Sequence, residues 1–133
     1  MNIATFLFIY FLQIFLTFPK FSHTCKALNL VSYGTYFTHH LLDVFLFWAP
    51  LFLTTTNEFI IHIIVSIGVI IHWFTYNNRC IATVYMNRLC GYPEDDWLDS
   101  LKNMLGLRNI SEYFHFIWIG LVLVYDIYMI TSR

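Results

Sequence analysis

Long apolar runs, separated by shorter polar segments, dominate the chain. Residues 1–19 carry no charged side chain, and each later run contains at most one acidic residue. A helix needs roughly 20 residues to cross a hydrocarbon core of ~30 Å, and each run only just reaches that length. The pattern predicts four transmembrane helices, or three helices preceded by an N-terminal segment that dips into the membrane. The predicted helices cover residues 3–18, 36–53, 59–76 and 113–130.

The composition of the chain indicates a membrane protein. Of 133 residues, 59% are hydrophobic and 11% are charged, against about 25% charged residues in an average soluble domain. So few charges exclude the soluble, disordered and disulfide-scaffold classes. The sequence predicts one all-α, multi-pass integral membrane bundle, whose partners are the lipid bilayer and other membrane helices. A net charge of −1 without a basic run argues against nucleic acid, and the bias towards Phe, Tyr, Ile and Asn is typical of an AT-rich genome.

Basic residues lie on one side of the predicted bundle. If neighbouring helices run antiparallel, segments 19–35 and 77–110 share a side and hold every basic residue except Arg133. The positive-inside rule then places these segments in the cytoplasm and both termini outside. The first apolar run lacks a basic start and a small-residue cleavage site, so we expect a retained helix rather than a signal peptide.

Two capping boxes mark helix starts. The spacing Thr55-x-x-Glu58 predicts the start of the third helix, because each of these side chains can accept a hydrogen bond from the backbone N–H of the other residue. The spacing from Asn109 to Glu112 predicts the start of the fourth helix in the same way.

The 77–110 segment contains an expected helix and two of the three cysteines. A proline followed by three acidic residues begins an amphipathic helix over residues 93–105, which lies on the inner membrane face or packs against the bundle. The cysteines Cys25, Cys80 and Cys90 form no Cys-x-x-Cys pair, which disfavours zinc and redox motifs. In a cytoplasmic loop we expect Cys80 and Cys90 to be reduced.

Six histidines are the most informative residues. An ionisable side chain at the centre of a membrane helix costs about 2.5–3.5 kcal/mol, so such residues usually face the bundle interior. The antiparallel arrangement predicts a polar seam with two clusters, and His39 and Asp43, four residues apart on one helix, are expected to pair. The inner cluster comprises His39, His40, Asp43, His72 and His115, and the outer cluster comprises Glu58, His62 and Asp126.

The inner cluster admits four interpretations. Two imidazoles from different helices at similar depth suit haem b, with His40, His72 and His115 as candidate ligands. Three imidazoles and a carboxylate suit a transition metal, although the multi-histidine boxes of membrane di-iron desaturases are absent. A proton or ion path along the seam is a third interpretation. In the fourth, the histidines lie near helix ends and bond to neighbouring backbone or lipid headgroups.

The function classes follow from these candidates. The sequence contains no nucleophile motif, phosphate-binding glycine loop or paired-carboxylate arrangement, so an enzyme is not indicated. We expect a non-catalytic structural or assembly component of a membrane complex. The alternative is a haem- or quinone-binding anchor subunit of an electron-transfer complex.

One short string resembles a known group of proteins. It leaves a predicted helix and enters the 77–110 segment, and it reads His72-Trp73-x3-Asn77-Asn78-x-Cys80-x-x-Thr83. It is similar to a core of uncharacterised small polytopic membrane proteins of bacteria and large DNA viruses. Those proteins carry Leu before the Thr and an acid three residues after it, where this chain has Ala82 and Met86. The resemblance implies a helical membrane architecture and no particular activity.

Overall fold

The described part of the chain is entirely helical. The computed structural model describes residues 1–77, 79–91 and 114–132, and no strand occurs among them. The helices are α1 (Ile3–Thr24), α2 (Leu30–Trp48), α3 (Thr56–Thr75), α4 (Ile81–Cys90) and α5 (Phe114–Thr131), with a short 3₁₀ turn at Ala49–Leu51 after α2. By length and composition, α1, α3 and α5 could each cross a membrane. The predicted helix over 93–105 and the Asn109 capping box lie outside the described residues.

Capping residues explain where two helices begin. The Thr55 side chain accepts a hydrogen bond from the Glu58 backbone, and the Glu58 side chain bonds the Thr55 backbone, so the predicted capping box at α3 is confirmed. A second capping box starts α2, where the Asn29 side chain accepts from the Ser32 backbone at 2.9 Å. The predicted start at residue 36 is therefore six residues late. Hydropathy alone places the start too late, because Ser32, Gly34 and Thr35 interrupt the apolar residues at the beginning of this helix.

Helix α1 continues past the predicted end at residue 18. Pro19 lies inside the helix, although an internal proline removes one backbone hydrogen bond and costs about 3 kcal/mol in a soluble helix. Packing beyond the proline offsets this cost. Phe21 is fully buried, and its ring stacks on that of Tyr36 with centroids 4.4 Å apart.

Helix α4 is a short helix that the sequence pattern did not predict. The N-cap residue of α4 is Cys80, and its C-cap residue is Gly91, whose φ of 69° lies in the left-handed region. A Cβ at Gly91 would lie 3.1 Å from the Cδ of Lys26, a contact that a small shift of this flexible side chain relieves, so the left-handed backbone is the main reason for glycine there.

Helix α2 lies at the centre of the bundle and contacts each of the other four helices. Contacts from Gln13 to His40 and from Thr17 to Tyr36 show that α1 and α2 run antiparallel. Helices α3 and α5 are also antiparallel, since the start of α3 meets the end of α5 and Trp73 near the end of α3 contacts the ring of Phe116.

A disulfide joins the ends of α1 and α4. Cys25 bonds to Cys90 across 65 residues of sequence, so the prediction that Cys90 is reduced is wrong. The backbone N–H of Lys26 also donates to the backbone oxygen of Cys90 at 3.3 Å. Segments 19–35 and 77–91 therefore meet at one end of the bundle, as the antiparallel arrangement predicts. Cys80 is the free cysteine of the described residues.

Candidate functional site

Polar side chains meet in the interior between α1 and α2. On α2 they recur every three or four residues and so share one face. On α1, Gln13 and Thr17 are four residues apart and face them. Gln13 is 2% exposed and His40 is 1% exposed, so solvent does not satisfy these groups. The set, here called the α1–α2 polar cluster, comprises Gln13, Thr17, Tyr36, His39, His40 and Asp43.

A chain of hydrogen bonds fixes the tautomer of His40. The amide nitrogen of Gln13 lies 2.7 Å from Nδ1 of His40, and because that nitrogen can only donate, Nδ1 accepts. Nε2 therefore carries the proton and donates to Oγ1 of Thr17 at 3.2 Å. Thr17 donates in turn to the backbone oxygen of Gln13 at 2.8 Å, and the Tyr36 hydroxyl donates to Thr17. His40 is thus a neutral imidazole whose Nδ1 lone pair faces the cluster.

His39 and Asp43 approach each other without a hydrogen bond. Nδ1 of His39 lies 3.2 Å from Oδ2 of Asp43, yet this buried nitrogen has no hydrogen-bond partner because the angles are unsuitable. Nδ1 of His40 lies 3.8 Å from the same carboxylate oxygen. The three potential ligand atoms all lie within 4.8 Å of one another.

Cys80 borders this cluster from the start of α4. Its sulfur lies beside His39. Burial raises the pKa of the Cys80 thiol, but the neighbouring His39 and the backbone N–H groups of Thr83 and Ala82 outweigh that effect, so the pKa lies below its ordinary value.

A second polar pair joins α3 to α5. Nδ1 of His62 lies 2.5 Å from Oδ2 of Asp126, and both side chains are fully buried. Nε2 of His62 lies 3.3 Å from the backbone oxygen of Leu46 and 3.4 Å from the Ser66 hydroxyl. The structure thus pairs two residues of the predicted outer cluster. Both nitrogens of His62 are occupied, which makes the pair a structural link between helices.

Glu58, the third residue of the predicted outer cluster, has a different role. Its carboxylate accepts from the backbone of Thr54 at 2.8 Å and of Thr55 at 3.0 Å, and it forms an ion pair with the N-terminal amino group of Met1. It therefore caps α3 and fixes the start of α1 beside it.

The structure gives the three predicted haem ligands different neighbours. Nε2 of His72 accepts from the backbone N–H of Ile81 at 3.2 Å, which caps α4. The centroid of the His115 ring lies 6.0 Å from that of Phe47 and 6.2 Å from that of Trp73. His40 instead joins His39 and Asp43, with both ring nitrogens engaged.

The sequence analysis missed two members of the cluster on α1. Gln13 is the lone amide in the apolar run of residues 3–18, and Thr17 follows it by one helical turn. That spacing places both side chains on one face of a helix and could have indicated an inward polar stripe. Cys80 gave no such signal, because its approach to His39 depends on how α4 folds back onto α2.

Comparisons of the chain with protein-family models, with curated proteins and with solved structures found no match.

Proposed function

We propose that this chain is a multi-pass membrane protein with four membrane-spanning helices, and that it serves as a non-catalytic structural component of a membrane assembly. The distribution of polarity carries this proposal. Large apolar side chains point outward along α1, α3 and α5, whereas polar groups such as Gln13, His62 and Asp126 are buried. Such an arrangement suits a lipid environment, in which buried polar groups must be satisfied within the bundle.

Helix α2 is the proposed fourth span. Its 19 residues correspond to a length of about 28 Å at 1.5 Å per residue, close to the thickness of a hydrocarbon core. Its polar residues lower its mean hydropathy, but His39, His40 and Asp43 are all buried in the bundle. The side chains that α2 exposes include Phe37 and Leu41. A helix with its polar face inside and apolar residues outside can cross a membrane.

Helix α1 supports a role in assembly. Only 6% of its most apolar stretch is buried within the chain, against 22% for α3 and 17% for α5. Its outward row of Phe8, Phe11 and Phe15 is 62–75% exposed. In the proposed assembly this face packs against lipid and against helices of other chains.

The disulfide bears on the orientation of the bundle. The positive-inside rule would place the end with Lys26 and Arg88 in the cytoplasm, but Cys25 and Cys90 are bonded at that same end. Disulfides persist in oxidising compartments and are rare in a reducing cytosol. We therefore place this end in an oxidising compartment, with both chain termini on the reducing side. We give the disulfide more weight than the distribution of basic residues. The positive-inside rule is a statistical preference, whereas a disulfide forms only where an oxidant is present.

Thiol trapping tests this orientation. Cells that express the full chain are quenched in acid, and the denatured protein is alkylated with a maleimide that adds a fixed mass per thiol. We expect one addition before reduction, at Cys80, and three after reduction. In the matched variant Cys80→Ser the numbers should be zero and two. Three additions before reduction would mean that Cys25 and Cys90 are reduced in cells, which would refute the proposed orientation.

Native purification tests the assembly role. After extraction in a mild detergent, the protein should migrate as a complex larger than a single chain in its micelle, with the same membrane proteins co-purifying in repeated preparations. A monodisperse single chain without partners would refute the role. A visible haem spectrum in that sample would instead identify the electron-transfer alternative.

A further inference from the structure

We propose that His39, His40 and Asp43 bind one Zn²⁺ ion inside the bundle, with Gln13 in the fourth position. This site goes beyond the proposed structural role, because it adds a ligand that neither the sequence motifs nor the assembly requires. The evidence is the placement of three buried donor atoms, one of which lacks a hydrogen bond.

The donor atoms have the spacing of a coordination shell. In a tetrahedral site with bonds of roughly 2.0–2.1 Å, neighbouring ligand atoms lie about 3.3 Å apart. Oδ2 of Asp43 lies 3.2 Å from Nδ1 of His39 and 3.8 Å from Nδ1 of His40. Two imidazoles and one carboxylate are ligands that Zn²⁺ commonly takes in proteins.

The unsatisfied nitrogen of His39 points to a missing ligand. Its side chain is 5% exposed, and its Nδ1 has no hydrogen-bond partner although a carboxylate oxygen lies 3.2 Å away. A buried polar atom without a partner costs free energy, and a cation between this nitrogen and Asp43 would give the nitrogen a partner. In the buried pair of His62 and Asp126 the 2.5 Å contact is a hydrogen bond, and the atom without a partner is Oδ1 of Asp126 rather than a ring nitrogen.

Residues around the cluster orient the two imidazoles. Metal-ligating histidines usually donate their second ring N–H to an oxygen, which fixes the tautomer and the ring plane. Nε2 of His40 donates to Thr17, which leaves Nδ1 unprotonated and able to bind a metal. His39 lies beside the Cys80 sulfur.

Gln13 supplies the fourth position from α1. Its amide nitrogen lies 2.7 Å from Nδ1 of His40 and 3.5 Å from Oδ2 of Asp43. For its oxygen to bind the ion, the amide must turn by half about its last side-chain bond and move back from Nδ1 of His40, because 2.7 Å is shorter than the spacing of neighbouring ligand atoms. With Gln13 as a ligand, the ion would link α1 to α2.

Metal titration of the full chain in detergent tests the site. The protein carries an affinity tag without histidine, is stripped with a chelator, and is titrated with Co²⁺ and then with Zn²⁺. We expect one Co²⁺ per chain by elemental analysis, a visible Co²⁺ absorption band that Zn²⁺ abolishes, and a rise in the unfolding temperature with Zn²⁺. Asp43→Asn should weaken binding more than 10-fold, and Thr17→Val should weaken it about 10- to 100-fold through the outer contact.

The control is His62→Gln, which alters the other buried histidine–carboxylate pair and should retain one metal ion per chain. Failure of the unaltered protein to bind stoichiometric metal would refute the site, whether or not the variants fold. Unchanged affinity in a folded Asp43→Asn variant would also refute it. Loss of binding only in the cluster variants would support it. None of these outcomes depends on whether the protein has assembly partners.

Discussion

Reduction of the Cys25–Cys90 disulfide should weaken the fold by a measurable amount. The bond closes a loop across 65 residues, and in the chain-entropy description a loop of that length contributes about 4 kcal/mol. In the proposed membrane arrangement the unfolded chain keeps helices α2 and α3 inserted, so the loop is already restricted before the bond forms. We therefore expect a loss of about 2–4 kcal/mol in the free energy of unfolding.

Equilibrium unfolding in mixed detergent micelles measures this loss. The unaltered protein is compared with and without reductant, and with the variants Cys25→Ala, Cys90→Ala and the double variant. Each single substitution breaks the same bond, so either one should lower stability about as much as both together. Cys80→Ser controls for the loss of a thiol outside the bond and should remain sensitive to reductant.

Two results would refute this reasoning. Equal stability of the unaltered protein with and without reductant would mean that the bond does not restrict the unfolded chain. Additive losses from Cys25→Ala and Cys90→Ala would mean that each side chain acts through its own packing. Cys90 is fully buried and Cys25 is 7% exposed, so a small packing loss of each is expected in addition to the shared one.

Substitutions at four further positions test contacts in the bundle, each through the free energy of unfolding. Asp126→Leu and His62→Leu should each cost about 3–5 kcal/mol, because each leaves the other side chain buried without its partner. The double variant should cost less than the sum of the two, and strictly additive losses would show that the two side chains do not interact. Gly91→Ala should cost about 1–2 kcal/mol, because a Cβ is unfavourable at its left-handed φ. An unchanged free energy of unfolding would show that residue 91 does not have this backbone conformation. Asp43→Asn should be tolerated and Asp43→Leu should cost about 1–3 kcal/mol through unsatisfied buried neighbours; equal losses would indicate an essential charge.

Local signals made part of the bundle predictable. The capping box at Thr55 and Glu58 needs only residues three apart, and it forms as predicted. The approach of His39 to Asp43 likewise depends on the fixed geometry of one helical turn. The capping box at Asn29 carries the same kind of information, but hydropathy concealed it because Ser32, Gly34 and Thr35 lower the hydropathy at the start of α2.

Contacts between distant residues were predicted less well. The antiparallel arrangement correctly places His62 and Asp126 at one level, because helix direction and rise fix the depth of each side chain. It does not fix rotation about each helix axis. For that reason His72 and His115 face other groups, and Gln13 was not recognised as a neighbour of His40.

The order of residues is enough to predict an all-helical chain with apolar helices of membrane-spanning length, because hydropathy and the rise per residue act locally. The bond between Cys25 and Cys90, and the contacts of Gln13 with His40 and Asp43 of α2, follow only from how the helices pack. Those contacts depend on the rotation and crossing of whole helices, and many side chains packing together set both.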